Sequence, residues 1–169
     1  MKTRSRQRDS SPRDAGGSPS QRDGKGGTYE AAVRLLASRA HSARELRTKL
    51  LRRGHRADEV SQALERLSRD GYLDDAAYAE ALVVRRSGSR GARAIAAELA
   101  AKGIGREAAQ AALSRLQPGD ELRAATQVAR RLGRLDPDRA GARLVRRGFS
   151  FQVARAALRP GVVDVLRDA

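Results

Sequence analysis

The 169-residue chain has no cysteine, no tryptophan and a single methionine, and its only aromatics are three tyrosines and two phenylalanines. Without cysteine there is no disulfide, no thiol nucleophile and no cysteine-built zinc site, which agrees with a reducing, cytoplasmic setting. Aromatic and β-branched residues are scarce, so little or no sheet is expected. The apolar residues are mostly Ala and Leu, which favour closely packed helices. No run of 18 apolar residues is present, so no membrane span is expected. Residues 1–28 contain basic residues but no apolar core of the kind a secretory signal needs.

Catalytic patterns are lacking too. The two histidines, His41 and His55, sit beside turns without a cluster of carboxylates in helical register, so both are expected to be exposed loop residues, not metal ligands. No serine sits in a nucleophile elbow. Gly24-Lys25-Gly26-Gly27-Thr28 has no strand before it and is not a phosphate loop. The expectation is therefore a protein with no catalytic residue, no cofactor and no metal.

What the chain has in excess is positive charge: 35 Lys and Arg against 20 Asp and Glu, net +15, with a pI near 11.5. Such an imbalance points to a polyanionic partner, most often nucleic acid. Part of it lies in residues 1–27, where seven basic residues oppose three acidic ones. After Met1 this stretch holds no large apolar residue, and it reads as a disordered, basic, solvated tail.

From Tyr29 onward the pattern is helical and repeats. Leu-x-x-x-Gly occurs at Leu50–Gly54, Leu99–Gly103 and Leu144–Gly148, with a basic residue before each glycine (Arg53, Lys102, Arg147) and a leucine ten residues after it (Leu64, Leu113, Leu158). Spacings of 49 and 45 residues between the glycines indicate stacked supersecondary units. Each unit reads as three helices: residues 28–70, 71–118 and 119–160, followed by a short C-terminal tail at 161–169. In the first unit Tyr29, Ala32, Val33 and Leu36 form one helical stripe, Leu46 and Leu50 a second, and Val60, Ala63, Leu64 and Leu67 a third. Ser42-Ala43-Arg44-Glu45 has the form of a capping box. In the second unit Tyr78, Ala81 and Leu82, then Ile95 and Leu99, then Ala109, Ala112, Leu113 and Leu116 take these places. In the third, Leu122, Ala125, Ala129 and Leu132 precede Asp136-Pro137, a strong helix start. Gly54, Gly103 and Gly148 are expected to stop helices with positive φ.

Two adjacent acids, Asp74 and Asp75, suit the start of a helix, where one caps and both meet the positive end of the helix dipole. Basic pairs recur near helix ends in all three units: Arg52-Arg53, Arg85-Arg86, Arg130-Arg131 and Arg146-Arg147. Between Asp120 and Arg159 ten arginines face four acids. Stacked repeats would align these residues into a stripe for phosphates. The third helices offer few side chains that read base edges, and the shortage of aromatics makes base stacking a secondary mode at most.

Gly71-Tyr72-Leu73-Asp74-Asp75 followed by Tyr78-Ala79 resembles the central signature of the RecX family. Ser42-Ala43-Arg44-Glu45-Leu46 with Lys49-Leu50 resembles its first-unit helix; Arg86, Gly88, Gly91, Ile95, Glu98-Leu99 and Gly103-Ile104 resemble its second; and Leu144-Val145-Arg146-Arg147-Gly148-Phe149-Ser150 resembles its third. The resemblance runs from about Tyr29 to Leu158 and leaves out the long N-terminal tail. It implies an all-α array of about nine helices in three tandem three-helix repeats, elongated and curved. It further implies a non-enzymatic monomer that binds the RecA–DNA filament and inhibits the ATPase, strand-exchange and co-protease activities of RecA. Gly71, Tyr72, Leu73, Asp74, Asp75, Gly103, Gly148 and Phe149 are then structural signature positions. The candidates for contact with the filament and with single- or double-stranded DNA are Arg52, Arg53, Arg85, Arg86, Arg90, Arg130, Arg131, Arg146 and Arg147. The alternative is a DNA-binding regulator of the helix-turn-helix kind, built on the second and third helices of each unit.

Overall fold

The structure is a computed structural model that describes residues 27–117, 119–133 and 136–159; of the expected tails at 1–27 and 161–169, all but Gly27 lies outside the described residues. Among the described residues there are nine helices and no strand: α1 (Thr28–Ser38), α2 (Ala43–Arg52), α3 (Ala57–Arg69), α4 (Asp75–Ser87), α5 (Ala92–Ala101), α6 (Arg106–Leu113), α7 (Asp120–Leu132), α8 (Pro137–Arg146) and α9 (Phe151–Ala157).

Local chemistry sets where these helices begin. Ser42 accepts a hydrogen bond from the Glu45 N–H, Asp74 from those of Ala76 and Ala77, Asp136 from that of Arg139, and Ser150 from that of Val153. The Leu-x-x-x-Gly motif sets where α2, α5 and α8 end. Gly54, Gly103 and Gly148 have φ of 87°, 80° and 89°. The residue after each glycine returns its N–H to the leucine carbonyl, at 3.2 Å for His55–Leu50, 3.1 Å for Ile104–Leu99 and 3.2 Å for Phe149–Leu144. This is a Schellman closure, and it needs a residue that tolerates the left-handed conformation. A fourth copy, Leu67 to Gly71, ends α3 in the same way, with the Tyr72 N–H on the Leu67 carbonyl at 2.9 Å.

The helices pack in triplets, each around its own core. Leu46, Leu50, Val60 and Leu67 centre the first, Leu82, Ile95 and Leu99 the second, and Leu144, Phe149 and Ala125 the third, all completely buried. Burying a leucine completely is worth roughly 1.5–3 kcal/mol. Two expected stripes are rotated. In α1 the buried residues are Ala31, Ala32 and Leu35, while Tyr29, Val33 and Leu36 are only partly covered. In α4 Ala79 and Val83 join Tyr78 and Leu82 inside, and Ala81 is exposed. Small apolar residues on several sides of a helix leave more than one stripe compatible with the same period, and tertiary contacts choose between them.

Successive triplets are joined by one arrangement used twice. At the first joint the Ala43 N–H, at the start of α2, is held by the Asp75 carboxylate in the first turn of α4 at 2.9 Å. The Ser42 hydroxyl donates to the Lys102 carbonyl at the end of α5 at 2.6 Å. At the second joint the Ala92 N–H, at the start of α5, is held by the Glu121 carboxylate in the first turn of α7 at 3.1 Å, and the Gly91 N–H donates to the Arg147 carbonyl at the end of α8 at 3.0 Å. The first joint is lined by side chains. Glu45 bonds Lys102, Arg39 and the Tyr78 hydroxyl, and a Cβ on Gly103 would lie 2.5 Å from Arg44 Cδ. Backbone closes the second: a Cβ on Gly91 would lie 2.2 Å from the Gly148 oxygen, and one on Gly148 would lie 2.3 Å from Ala94 Cβ.

Candidate nucleic-acid interface

The basic residues singled out in the sequence divide by what holds them. Arg52 and Arg53, at the end of α2, are exposed, and no described carboxylate lies within ion-pair distance of either. The same holds for Arg85 on α4, Arg131 on α7 and Arg146 on α8. Arg86 is committed elsewhere: its guanidinium grips both oxygens of Glu98, at 3.0 and 2.8 Å, and ties the end of α4 to α5. Arg90 approaches the same carboxylate at 3.6 Å. Arg86 outweighs partial burial at Glu98 and holds its carboxyl below the usual range. Arg130 is half-buried and already engaged in an interaction. Arg147 places its backbone carbonyl in the second joint and reaches the Ser89 carbonyl with its side chain at 3.5 Å.

α8 carries two further arginines that the basic-pair pattern misses. Arg139, Arg143, Arg146 and Arg147 follow the i, i+4, i+7, i+8 spacing of a single helix face, next to the buried Ala140 and Leu144. All four are exposed, and no described carboxylate pairs with any of them. α9 adds exposed Arg155 and, just past its end, Arg159. The four acids of this repeat do not offset the charge there. Asp136 caps α8, Glu121 is in the second joint, and Asp120 binds the Gln117 N–H and Arg123. Asp138 is exposed in the first turn of α8. A search for arginine at helical spacing, instead of adjacent pairs, would have found the stripe.

The signature residues serve the fold. Leu73 and Phe149 are buried in the first and third cores, Asp74 caps α4, and Asp75 caps α2 across the joint, not its own helix. Tyr72 is the exception, with 64% of its surface exposed.

His41 differs from the expectation of an exposed loop histidine: it is buried. Its Nε2 faces Lys49 Nζ and its Nδ1 faces the Arg39 carbonyl, each at 2.8 Å. An ammonium can only donate, so Nε2 accepts and Nδ1 carries the proton. Burial lowers the pKa of the imidazole. Among the described residues no group of three or more His, Cys, Asp or Glu could hold a metal ion, and no helix is long and apolar enough to cross a membrane.

The helix–turn–helix pairs are not three equivalent readers of a duplex. α3 turns Asp58, Glu59 and Glu65 together with Arg66 and Arg69 to solvent, α6 turns Arg106 and Glu107, and α9 presents Arg155 with no acid of its own.

Comparison with known proteins gives a consistent pattern. Residues 29–67 match the family model for the first three-helix domain of RecX, and residues 74–113 match that for the second. A regulatory protein RecX from Trichlorobacter lovleyi is 43% identical over 128 residues, spanning 73% of this chain and 82% of the relative. One from Xanthomonas oryzae pv. oryzae is 39% identical over 142 residues, spanning 80% and 88%. The crystal structure of RecX from Lactobacillus salivarius superimposes with a TM-score of 0.68 at 21% identity, covering 82% of this chain and 95% of that one, which shows the shared fold.

Proposed function

The chain belongs to the RecX family, and on that premise we propose that it is a non-catalytic regulator that binds the RecA–DNA filament and inhibits ATP hydrolysis, strand exchange and co-protease activity by RecA. One observation of this chain supports the reading above the others: each repeat exposes arginines that no described carboxylate neutralises, Arg52 and Arg53 in the first, Arg85 in the second, and Arg131, Arg139, Arg143 and Arg146 in the third. Cations distributed along a tandem array suit a partner whose negative charge also repeats, as the phosphates of a nucleoprotein filament do. Contacts shared among three linked units reinforce one another through effective concentration, so no single residue has to be strong. The regulator acts in this reading as a cytoplasmic monomer without metal or cofactor. A titration of RecA-catalysed ATP hydrolysis on single-stranded DNA with this protein tests it. A dose-dependent fall in rate, weakened by added salt, is expected; an unchanged rate with RecA of the same organism overturns it and brings forward the helix-turn-helix regulator.

A further inference from the structure

Phe149 and Phe151 stand two residues apart, in opposite surroundings. Phe149 follows Gly148 and is completely buried in the third core, whereas Phe151 opens α9 with 71% of its surface exposed. The same register in the other repeats, three residues after the turn glycine, holds Ala57 and Arg106, so repeat geometry alone does not call for an aromatic there. Phe151 contributes nothing to a core, and every charged residue from Arg139 to Arg159 on either side of it is basic. Arg155 lies one turn further along the same face of α9, Arg147 precedes it across the turn, and the stripe of Arg139, Arg143 and Arg146 runs along α8. Tyr72, the other strongly exposed aromatic, is flanked instead by Asp70 and Asp74 and does not invite phosphates.

We propose that the outer face of α8 and α9 binds single-stranded nucleic acid, with Phe151 stacking on an unpaired base while Arg143, Arg146, Arg147 and Arg155 neutralise the phosphates on either side. A base in a duplex has both faces covered by its neighbours, so an aromatic platform selects strands whose bases are free. The arginines alone would bind single and double strands by counterion release; the aromatic supplies the preference. The site deepens the filament reading, in which single-stranded DNA is the partner's own ligand, but it is tested without RecA.

The full-length protein is titrated into a fluorescein-labelled oligothymidylate and, separately, a duplex of equal length. F151A is expected to lose about fivefold or more in affinity for the single strand, to bind the duplex as the wild type does, and to keep the same salt dependence, because no charge has been removed. Its helical circular dichroism should be unchanged, since the ring is outside the core. F151W, which retains a stacking ring and introduces the only tryptophan of the chain, should bind like the wild type, with its fluorescence quenched by oligothymidylate. Unchanged single-strand affinity in F151A, or unquenched fluorescence in F151W on binding, overturns the proposal. If F151A binds both nucleic acids normally but no longer inhibits RecA, Phe151 is a protein anchor: the stacking site is overturned while the filament reading stands. Single-strand binding that depends on Phe151 with no effect on RecA does the reverse.

Discussion

A neutral imidazole beside an ammonium makes the first joint sensitive to pH. His41 precedes the cap residue Ser42 and is enclosed by Arg39, Lys49 and Glu45. Burial disfavours its charged form, and Arg39 and Lys49 add like charge, which outweighs the Arg39 carbonyl and Glu45. Its folded pKa therefore lies below the ordinary 6.5. The fold binds fewer protons than the unfolded chain, so this contribution to stability is complete above about pH 6.5 and is lost as pH falls through that value toward the lower folded one. The unfolding midpoint should drop between about pH 7.5 and 5.5, and H41N should flatten that dependence in a circular dichroism melt. Glu45 acts in a lower window. Burial works against its charge, but Lys102 and Arg39 hold its pKa at about 2 against an ordinary 4.5, so its contribution is present above about pH 4.5 and fades as pH falls toward 2. The turn glycines separate two costs. G54A meets open space and incurs only the left-handed backbone, about 1 kcal/mol, whereas G148A also drives its Cβ into Ala94 and should lose more than twice as much in urea unfolding.

Among the elements, the helix ends were legible in the sequence and the joints were not. Leu-x-x-x-Gly announces a Schellman closure because every group in it is local, and the capping residues Asp74 and Asp136 are read just as directly. Ser42 and Asp75 show the limit. The sequence places both at helix starts, and Ser42 does cap α2, but its hydroxyl also crosses 60 residues to Lys102, and Asp75 serves a helix that begins 32 residues earlier. The Glu45 carboxylate likewise leaves the capping box for Lys102, because a half-buried ammonium at a joint is a stronger partner than a backbone N–H. Asp75 is thus the cap of α2 supplied by the next repeat. D75A should cost about 1 kcal/mol or more, as loss of a cap does. Combined with S42A it should deviate from additivity, because both act on one helix terminus at one joint. Chemical denaturation of the two single variants and the double variant measures the coupling; strict additivity would show that the joint is not a unit.

At the scale of the whole molecule, charge was legible in amount and only partly in place. The composition shows the excess, and the adjacent pairs locate some of it, but adjacency says nothing about neutralisation. Arg85 and Arg86 look alike in sequence; one is exposed and without a described carboxylate, while the other clasps Glu98 and holds α4 to α5. Charge reversal at Arg86 would therefore confuse binding with folding, and the informative set is Arg52, Arg85 and Arg146, one from each repeat. In the filament reading each phosphate contact contributes a similar electrostatic increment, so single reversals to Glu should weaken RecA inhibition mildly and the triple reversal severely. The three residues are exposed, so unfolding midpoints should change little. The dependence of log affinity on log salt should flatten by about one for each phosphate contact removed, wherever along the array it lies. A triple variant that inhibits RecA as well as the wild type, with an unchanged salt slope, would place the interface elsewhere on the molecule. A loss confined to R146E would assign it to the third repeat alone, where α8 concentrates its arginines.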